Sequence, residues 1–129
     1  MEVQDSGLRL LTNLSGNKPD VDKLKDKIKV YEKRTGENFE KVLKDFKYVH
    51  YWDDGSFMLF NLYPKYAELG PTNCRWQNAW EYLATVCKIL VIPIVYTRTN
   101  RNYKAYTRLT HSRFVMNDGD YAIIEKDVN

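Results

Sequence analysis

Apolar side chains recur with the spacing of an amphipathic helix in three segments of the chain. The first follows Pro19-Asp20 and stops at Thr35-Gly36, so Asp20 can cap its start and Gly36 can end it. The second runs from Glu37 to about Lys47, and the third follows the tetrapeptide "LGPT" with Thr72 or Asn73 as N-cap. The apolar positions are Val21, Leu24, Ile28 and Tyr31, then Phe39, Val42, Leu43 and Phe46, then Trp76, Ala79, Trp80, Leu83 and Cys87.

The stretch "YVHYWDDGSFMLFNLY", residues 48 to 63, predicts a β-hairpin. Asp-Gly between two apolar runs is the strongest short-range signal for a hairpin turn, and Asp54-Gly55 occupies that position. With these two residues as the turn, Trp52 lies opposite Phe57. Asp53 and Asp54 are then turn residues, and His50 is a structural histidine among apolar neighbours.

Beyond Leu90 the apolar pattern changes to a period of two, which is typical of strands. The segments "VIPIVYTR" and "YKAYTRL" predict two strands joined by a turn at "TNRN". Strand parity places Ile94 and Tyr96 on the core side. The same parity places Lys104, Tyr106 and Arg108 together on the exposed side.

The last segments, "HSRFVM" and "YAIIEK", predict a second hairpin turned at Asp118-Gly119. In this hairpin Arg113 lies opposite Ile124. The inward parity is odd at Leu109 and even at Phe114, so we expect a bulge or bend between them.

This element order predicts an α+β protein. We expect a single domain whose antiparallel sheet, a hairpin plus a three-stranded meander, packs against about three helices. The domain spans 20–129, and residues 1–19 form a mobile N-terminal segment.

Composition places the chain among ordinary globular proteins, with 43% hydrophobic and 29% charged residues. No apolar run reaches the roughly 20 residues that a membrane span needs, and the N-terminus lacks the features of a signal peptide. Cys74 and Cys87 are too few for a disulfide scaffold or a metal site. We therefore expect an intracellular, cytoplasmic protein, or one of the host cytoplasm or nucleus if it is viral.

The positive charge is concentrated in one part of the chain. Residues 82 to 117 contain six basic side chains and no acidic one, whereas residues 1 to 81 contain thirteen of each. The six are Lys88, Arg98, Arg101, Lys104, Arg108 and Arg113. Such patterning says more about binding partners than the net charge of +3 does.

No catalytic motif is evident. There is no glycine-rich phosphate loop and no pair of closely spaced Cys or His residues, so we expect neither a cofactor nor a metal. Cys74 lies in the first turn of the third predicted helix, where a thiol can be activated, but no partner is positioned by sequence. A metal-free nuclease could use His50 and His111 as base and acid, with Lys104 or Arg108 steadying the phosphate.

The leading functional hypothesis is a small, non-enzymatic nucleic-acid-binding protein. An acid-free basic segment attracts phosphates, and a tyrosine between two cations offers a platform on which bases of single-stranded DNA or RNA can stack. The candidate binding residues are Arg98, Arg101, Lys104, Tyr106, Arg108, His111 and Arg113.

The alternative is a small interaction or inhibitor protein, for example of viral or phage type, that binds an acidic partner protein. Exposed tyrosine and arginine are hot-spot residues at protein interfaces, so the same patch would serve an acidic surface. Neither hypothesis involves a membrane, and a dimer is compatible with both.

Overall fold

The structure, a computed structural model, describes residues 12–13, 21–100 and 102–129. The helices in these ranges are α1 (Val21–Thr35), α2 (Phe39–Leu43), α3 (Trp76–Leu90) and α4 (Tyr103–Thr110). The strands are β1 (Thr12–Asn13), β2 (Tyr48–Tyr51), β3 (Phe57–Leu62), β4 (Ala67–Thr72), β5 (Ile94–Thr99), β6 (Arg113–Asp118) and β7 (Tyr121–Asp127). The predicted α+β class is confirmed. None of the helices in the described ranges is long and apolar enough to cross a membrane.

The strands pair in the orders β1-β2-β3 and β4-β5-β7-β6. Strand β2 is antiparallel to β3, and β7 is antiparallel to both β5 and β6. Two pairings, β1 with β2 and β4 with β5, are parallel. The sheet is therefore mostly antiparallel, but the predicted three-stranded meander is wrong because β5 pairs with β7 rather than with the segment that follows it.

The described residues form two compact units. The N-terminal unit holds those up to Asn61 together with Pro71–Cys74, and the C-terminal unit holds Leu62–Gly70 and those from Arg75 to Asn129. Most of the predicted mobile segment, residues 1–19, lies outside the described residues. The division at residue 20 therefore stays a prediction.

In the N-terminal unit, α1 and α2 pack their apolar sides against β2 and β3. Leu24, Ile28 and Phe39 are buried in one cluster with Val49 and Phe57. The Phe39 and Phe57 rings meet edge to face with centroids 4.9 Å apart. This cluster confirms the apolar stripes predicted for the first two helices.

Helix α2 is shorter than the predicted segment 37–47. It ends at Leu43 because the side chain of Asn61 hydrogen-bonds to the backbone beyond it. The Asn61 amide donates to Asp45 O at 2.7 Å and accepts from Lys47 N at 2.8 Å. This contact joins positions 16 and 14 apart in the sequence, so local spacing could not reveal it.

The predicted hairpin forms, but its register differs by one residue. Tyr51 rather than Trp52 lies opposite Phe57, since the turn has three residues instead of two. Trp52 N donates to Ser56 O at 3.0 Å, and Gly55 N donates to Trp52 O at 3.1 Å. Gly55 has φ +88°, so the turn continues into a glycine bulge. His50 is buried and lies edge-on to Trp52, in keeping with a structural role.

The predicted strand "YKAYTRL" is helix α4. The Asn102 side chain caps this helix by accepting from Lys104 N at 3.1 Å and Ala105 N at 3.4 Å. Eight residues of alternating polarity fit a period of two as well as one of 3.6, and the cap decides between them.

In the C-terminal unit, α3 and α4 pack on the same face of the sheet. This face presents Val95, which is 3% exposed, and Lys126, whose ammonium lies 5.0 Å from the centre of the Trp80 ring. Ile94 and Tyr96, predicted for the core side, are instead only partly buried on the opposite face. We call this opposite face of the unit the open face, because neither helix of the unit covers it.

The second predicted hairpin forms between β6 and β7, with Gly119-Asp120 in its turn. The expected bulge occurs between Phe114 and Met116 rather than before Phe114. Arg113 consequently lies opposite Glu125 instead of Ile124.

Candidate functional site

Four polar side chains form a row across the open face. Glu68 on β4 lies in register with Tyr96 on β5, Tyr96 with Glu125 on β7, and Glu125 with Arg113 on β6. Residues paired in register project from the same side of a sheet, so the row brings two carboxylates, a phenol and a guanidinium together.

Hydrogen bonds connect part of this row. The Arg113 Nε donates to Glu125 Oε1 at 3.2 Å, and its two terminal nitrogens donate to the Asp127 oxygens at 2.9 Å each. A hydrogen bond to Glu125, together with desolvation, raises the pKa of Tyr96. The Tyr96 hydroxyl is therefore protonated at neutral pH and donates its proton in a hydrogen bond to Glu125.

Two further tyrosines extend the row at the start of β4. Tyr63 N donates to Tyr66 O at 2.9 Å, which closes the turn through Pro64 and Lys65. The two rings stack with centroids 4.7 Å apart, and Tyr66 meets Tyr96 edge to face at 5.4 Å. Glu68 is thus next to an aromatic cluster.

The face covered by the helices contains a small cavity of about 30 Å³, which is room for one or two water molecules. Trp76 and Trp80, two of the apolar positions of the third predicted helix, are partly buried here. The hydroxyls of Thr110 and Ser112 hydrogen-bond to each other, and Thr97 Oγ1 donates to Leu69 O at 3.0 Å. The cavity is lined by Leu69, Trp76, Trp80, Val95, Thr97, Tyr106, Thr110, Ser112 and Lys126.

Helix α3 begins with features that suit an anion. Its N-cap is Arg75, which makes no side-chain capping bond, and its first turn contains no acidic residue. The first amides of a helix lack acceptors within the helix, and its N-terminus carries partial positive charge. The connection into α3 contains no glycine and so does not form a glycine-rich phosphate loop. Contacts to an anion would therefore come from these amides and from Arg75.

The residues predicted to bind nucleic acid do not form one surface. Lys104 and Arg108 are exposed one turn apart on α4, whereas Tyr106 turns toward the cavity and is partly buried. Lys104, Tyr106 and Arg108 therefore lack the shared strand face that the prediction required.

Acidic residues distant in sequence neutralise two of the other predicted cations. Arg98 pairs with Asp118 at 3.1 Å and lies over the Tyr121 ring, and Arg113 pairs with Glu125 and Asp127. His111 is exposed with φ +56°, and its backbone caps the end of α4. Arg101 lies outside the described residues.

The histidines of the nuclease alternative belong to different units, His50 to the N-terminal and His111 to the C-terminal one. Among the residues that the structure describes, no group of three or more His, Cys, Asp or Glu side chains could hold a metal ion.

Glu68 and Tyr66 were not among the residues singled out from the sequence, and Tyr96 was assigned to the core side rather than to this row. The available signal was the aromatic pair in "YPKYAE" directly before a strand that carries one carboxylate. The row itself depends on β5 pairing with both β4 and β7, which no local pattern reveals.

Comparison with solved structures identifies the fold. The chain is similar to an aminoglycoside 6'-acetyltransferase type Ii, with TM-score 0.56 and 15% identity over 84% of this chain and 89% of that chain. It is similar to a putative acetyltransferase from Staphylococcus aureus, with TM-score 0.54 and 13% identity over 92% of this chain and 97% of that chain. It is also similar to Gcn5 from Tetrahymena, with TM-score 0.51 and 10% identity over 92% of this chain and 94% of that chain. The protein therefore has the fold of the GNAT acetyltransferases.

Other matches are more limited. The chain spans 63% of Ard1 from Thermoplasma volcanium and 57% of the PaiA N-acetyltransferase from Thermoplasma acidophilum, whose structure contains coenzyme A, both with TM-score 0.44. No protein-family model matches the sequence, and no curated protein matches it.

The acetyltransferase fold overturns the functional predictions. The hypothesis of a non-enzymatic nucleic-acid binder is wrong, since the similar structures are acetyltransferases. The same finding overturns the alternatives of a viral interaction protein with an acidic partner and of a metal-free nuclease.

Proposed function

We propose that this protein is an acyltransferase that uses acetyl-coenzyme A to acetylate an amine. The observation that carries the proposal is the similarity of the fold to three acetyltransferases, two of which it matches over 92% of its length. An intracellular location, predicted from the sequence, suits a donor of this kind.

The start of α3 is the proposed site for the diphosphate of coenzyme A. Its amides, its partial positive charge and the Arg75 guanidinium favour a doubly charged anion, and no acidic residue in the first turn opposes it. Bound acetyl-coenzyme A would supply an acetyl thioester, an activated acyl group that an amine nitrogen can attack.

Glu68 is the proposed general base. It is partly buried on β4, and its carboxylate can accept the proton that an ammonium or attacking amine must lose. Tyr96, in register beside it, donates its proton in a hydrogen bond to Glu125, and its hydroxyl oxygen can accept a hydrogen bond from the substrate amine. Both residues belong to the C-terminal unit, as does Arg75.

Calorimetric titration with acetyl-coenzyme A tests the donor half of this proposal. We expect saturable binding that weakens about fivefold in Arg75→Ala, the effect of one exposed ion pair of about 1 kcal/mol. Arg108→Ala is the matched control, since it removes an exposed arginine from another helix of the same unit and should leave the affinity unchanged. Absence of saturable binding by the wild type would contradict the proposal.

A further inference from the structure

Three tyrosine rings contact one another on the open face and remain partly exposed to solvent. Tyr63 is 40% exposed and Tyr66 is 38% exposed, although they stack on each other and Tyr66 contacts Tyr96. About two fifths of the surface of Tyr63 and of Tyr66 therefore remains open to solvent, so the cluster offers aromatic surface that a ligand can contact.

Carboxylates border this aromatic cluster on two sides. Glu68 lies two positions after Tyr66, so the two side chains project from the same side of the sheet. Glu68 also lies in register with Tyr96. Desolvation and then the Glu68 charge raise the pKa of Tyr63. Glu125, on the other side, is hydrogen-bonded by Arg113.

We propose that Tyr63, Tyr66, Tyr96 and Glu68 form a binding site for an organic ammonium cation. The faces of aromatic rings carry partial negative charge and attract weakly hydrated cations such as methylated ammonium groups, and a neighbouring carboxylate adds a full charge. Arg113 does not oppose the ligand strongly, because Glu125 and Asp127 already pair with it. This site shares Glu68 and Tyr96 with the proposed acetyl-transfer site and so rests on that proposal for the class of amine it would take, but it binds its cation whether or not a reaction follows.

Lys65 lies in the turn between Tyr63 and Tyr66, the two stacked tyrosines, and carries a positive charge. It is exposed, and its ammonium competes electrostatically with a bound cation. Removing this charge should strengthen binding rather than weaken it.

Titration with tetramethylammonium chloride, followed by NMR of the tyrosine ring protons, tests the site. Tetramethylammonium has no N–H and cannot be acetylated, so failure of this site is distinguishable from failure of the proposed acetyl transfer. Sodium chloride at equal ionic strength and neutral tert-butanol are the reference ligands. We expect saturable shifts for Tyr63, Tyr66 and Tyr96 with tetramethylammonium only.

Substitutions distinguish how much the tyrosine ring, the tyrosine hydroxyl and the neighbouring charges each contribute to binding. Tyr66→Leu should weaken binding about 5- to 30-fold, while Tyr66→Phe keeps the ring and should bind nearly as wild type. Glu68→Gln should weaken binding, Lys65→Ala should strengthen it, and Tyr103→Leu on α4 should do neither. Should Tyr66→Leu fail to fold, Tyr63→Leu provides the same comparison at a more exposed ring.

The proposal is overturned if tetramethylammonium shifts these resonances no more than sodium does. It is also overturned if tert-butanol produces equal shifts, or if a folded Tyr66→Leu or Tyr63→Leu protein binds as tightly as the wild type.

Discussion

Neither Cys74 nor Cys87 forms a disulfide, but their surroundings differ. Cys87 lies on the buried side of α3 with no exposed surface, and desolvation raises its pKa to about 11. Cys74 is partly exposed, and its sulfur lies 3.0 Å from Thr72 Oγ1. Cys87, one of the apolar positions of the third predicted helix, is thus a buried hydrophobic residue.

We predict that native protein at pH 8 is alkylated by iodoacetamide at Cys74 and not at Cys87. The thiolate is the reacting species, and burial leaves Cys87 almost entirely protonated at that pH. Peptide mass spectrometry after a short exposure measures this, with denatured protein as the control in which both react. Equal modification of both thiols in the native protein would show that α3 is not packed as described.

At the scale of single elements, α4 was the largest difference from the sequence prediction. Its residues fit a strand as well as a helix, and the deciding contacts are the Asn102 cap and the back-bond from Thr110 Oγ1 to Tyr106 O at 2.8 Å. The longer helices α1 and α3 were predictable because four or five apolar residues repeat at one spacing. Eight residues give too few repeats to distinguish the two periods.

We predict that Asn102→Ala lowers the free energy of unfolding by about 1 kcal/mol, since it removes the acceptor for two backbone amides at the start of α4. Asn100→Ala is the matched control in the same connection and should change stability by less than about 0.5 kcal/mol. Urea denaturation followed by circular dichroism measures both. Equal stabilities of the two variants would argue against the cap, and so against the helix.

The β2–β3 turn provides a second test at this scale. A Cβ added at Gly55 would lie 2.9 Å from Lys23 Cβ, and φ there is +88°. Gly36 also has positive φ, +74°, but a Cβ there would meet no atom within 4 Å.

We therefore predict that Gly36→Ala costs about 1 to 2 kcal/mol from backbone strain alone. Gly55→Ala should cost clearly more, because overlap with α1 adds to the strain. Thermal or urea unfolding measures the difference. A Gly55→Ala protein no less stable than Gly36→Ala would contradict the close approach of the turn to Lys23.

For the whole molecule, the charge pattern was visible in the sequence but its consequence was not. Two of the six basic residues in the acid-free segment from 82 to 117 are neutralised in space, since Asp118 pairs with Arg98 and both Glu125 and Asp127 pair with Arg113. The α+β class followed from periodicity, whereas the candidate site depends on which strands become neighbours. Non-local pairings of this kind decide the fold, and no local pattern reveals them.

We propose that the molecule transfers an acetyl group to an amine. The most direct measurement incubates the protein with acetyl-coenzyme A and a panel of primary amines, and quantifies free thiol and acetylated product by mass spectrometry. We predict equal amounts of both products from the wild type, and a loss of turnover of about 100-fold in Glu68→Gln, the size expected for a general base. Glu81→Gln, an exposed glutamate on α3, should retain wild-type turnover. No acetylated product from any amine, or wild-type turnover by Glu68→Gln, would contradict the account.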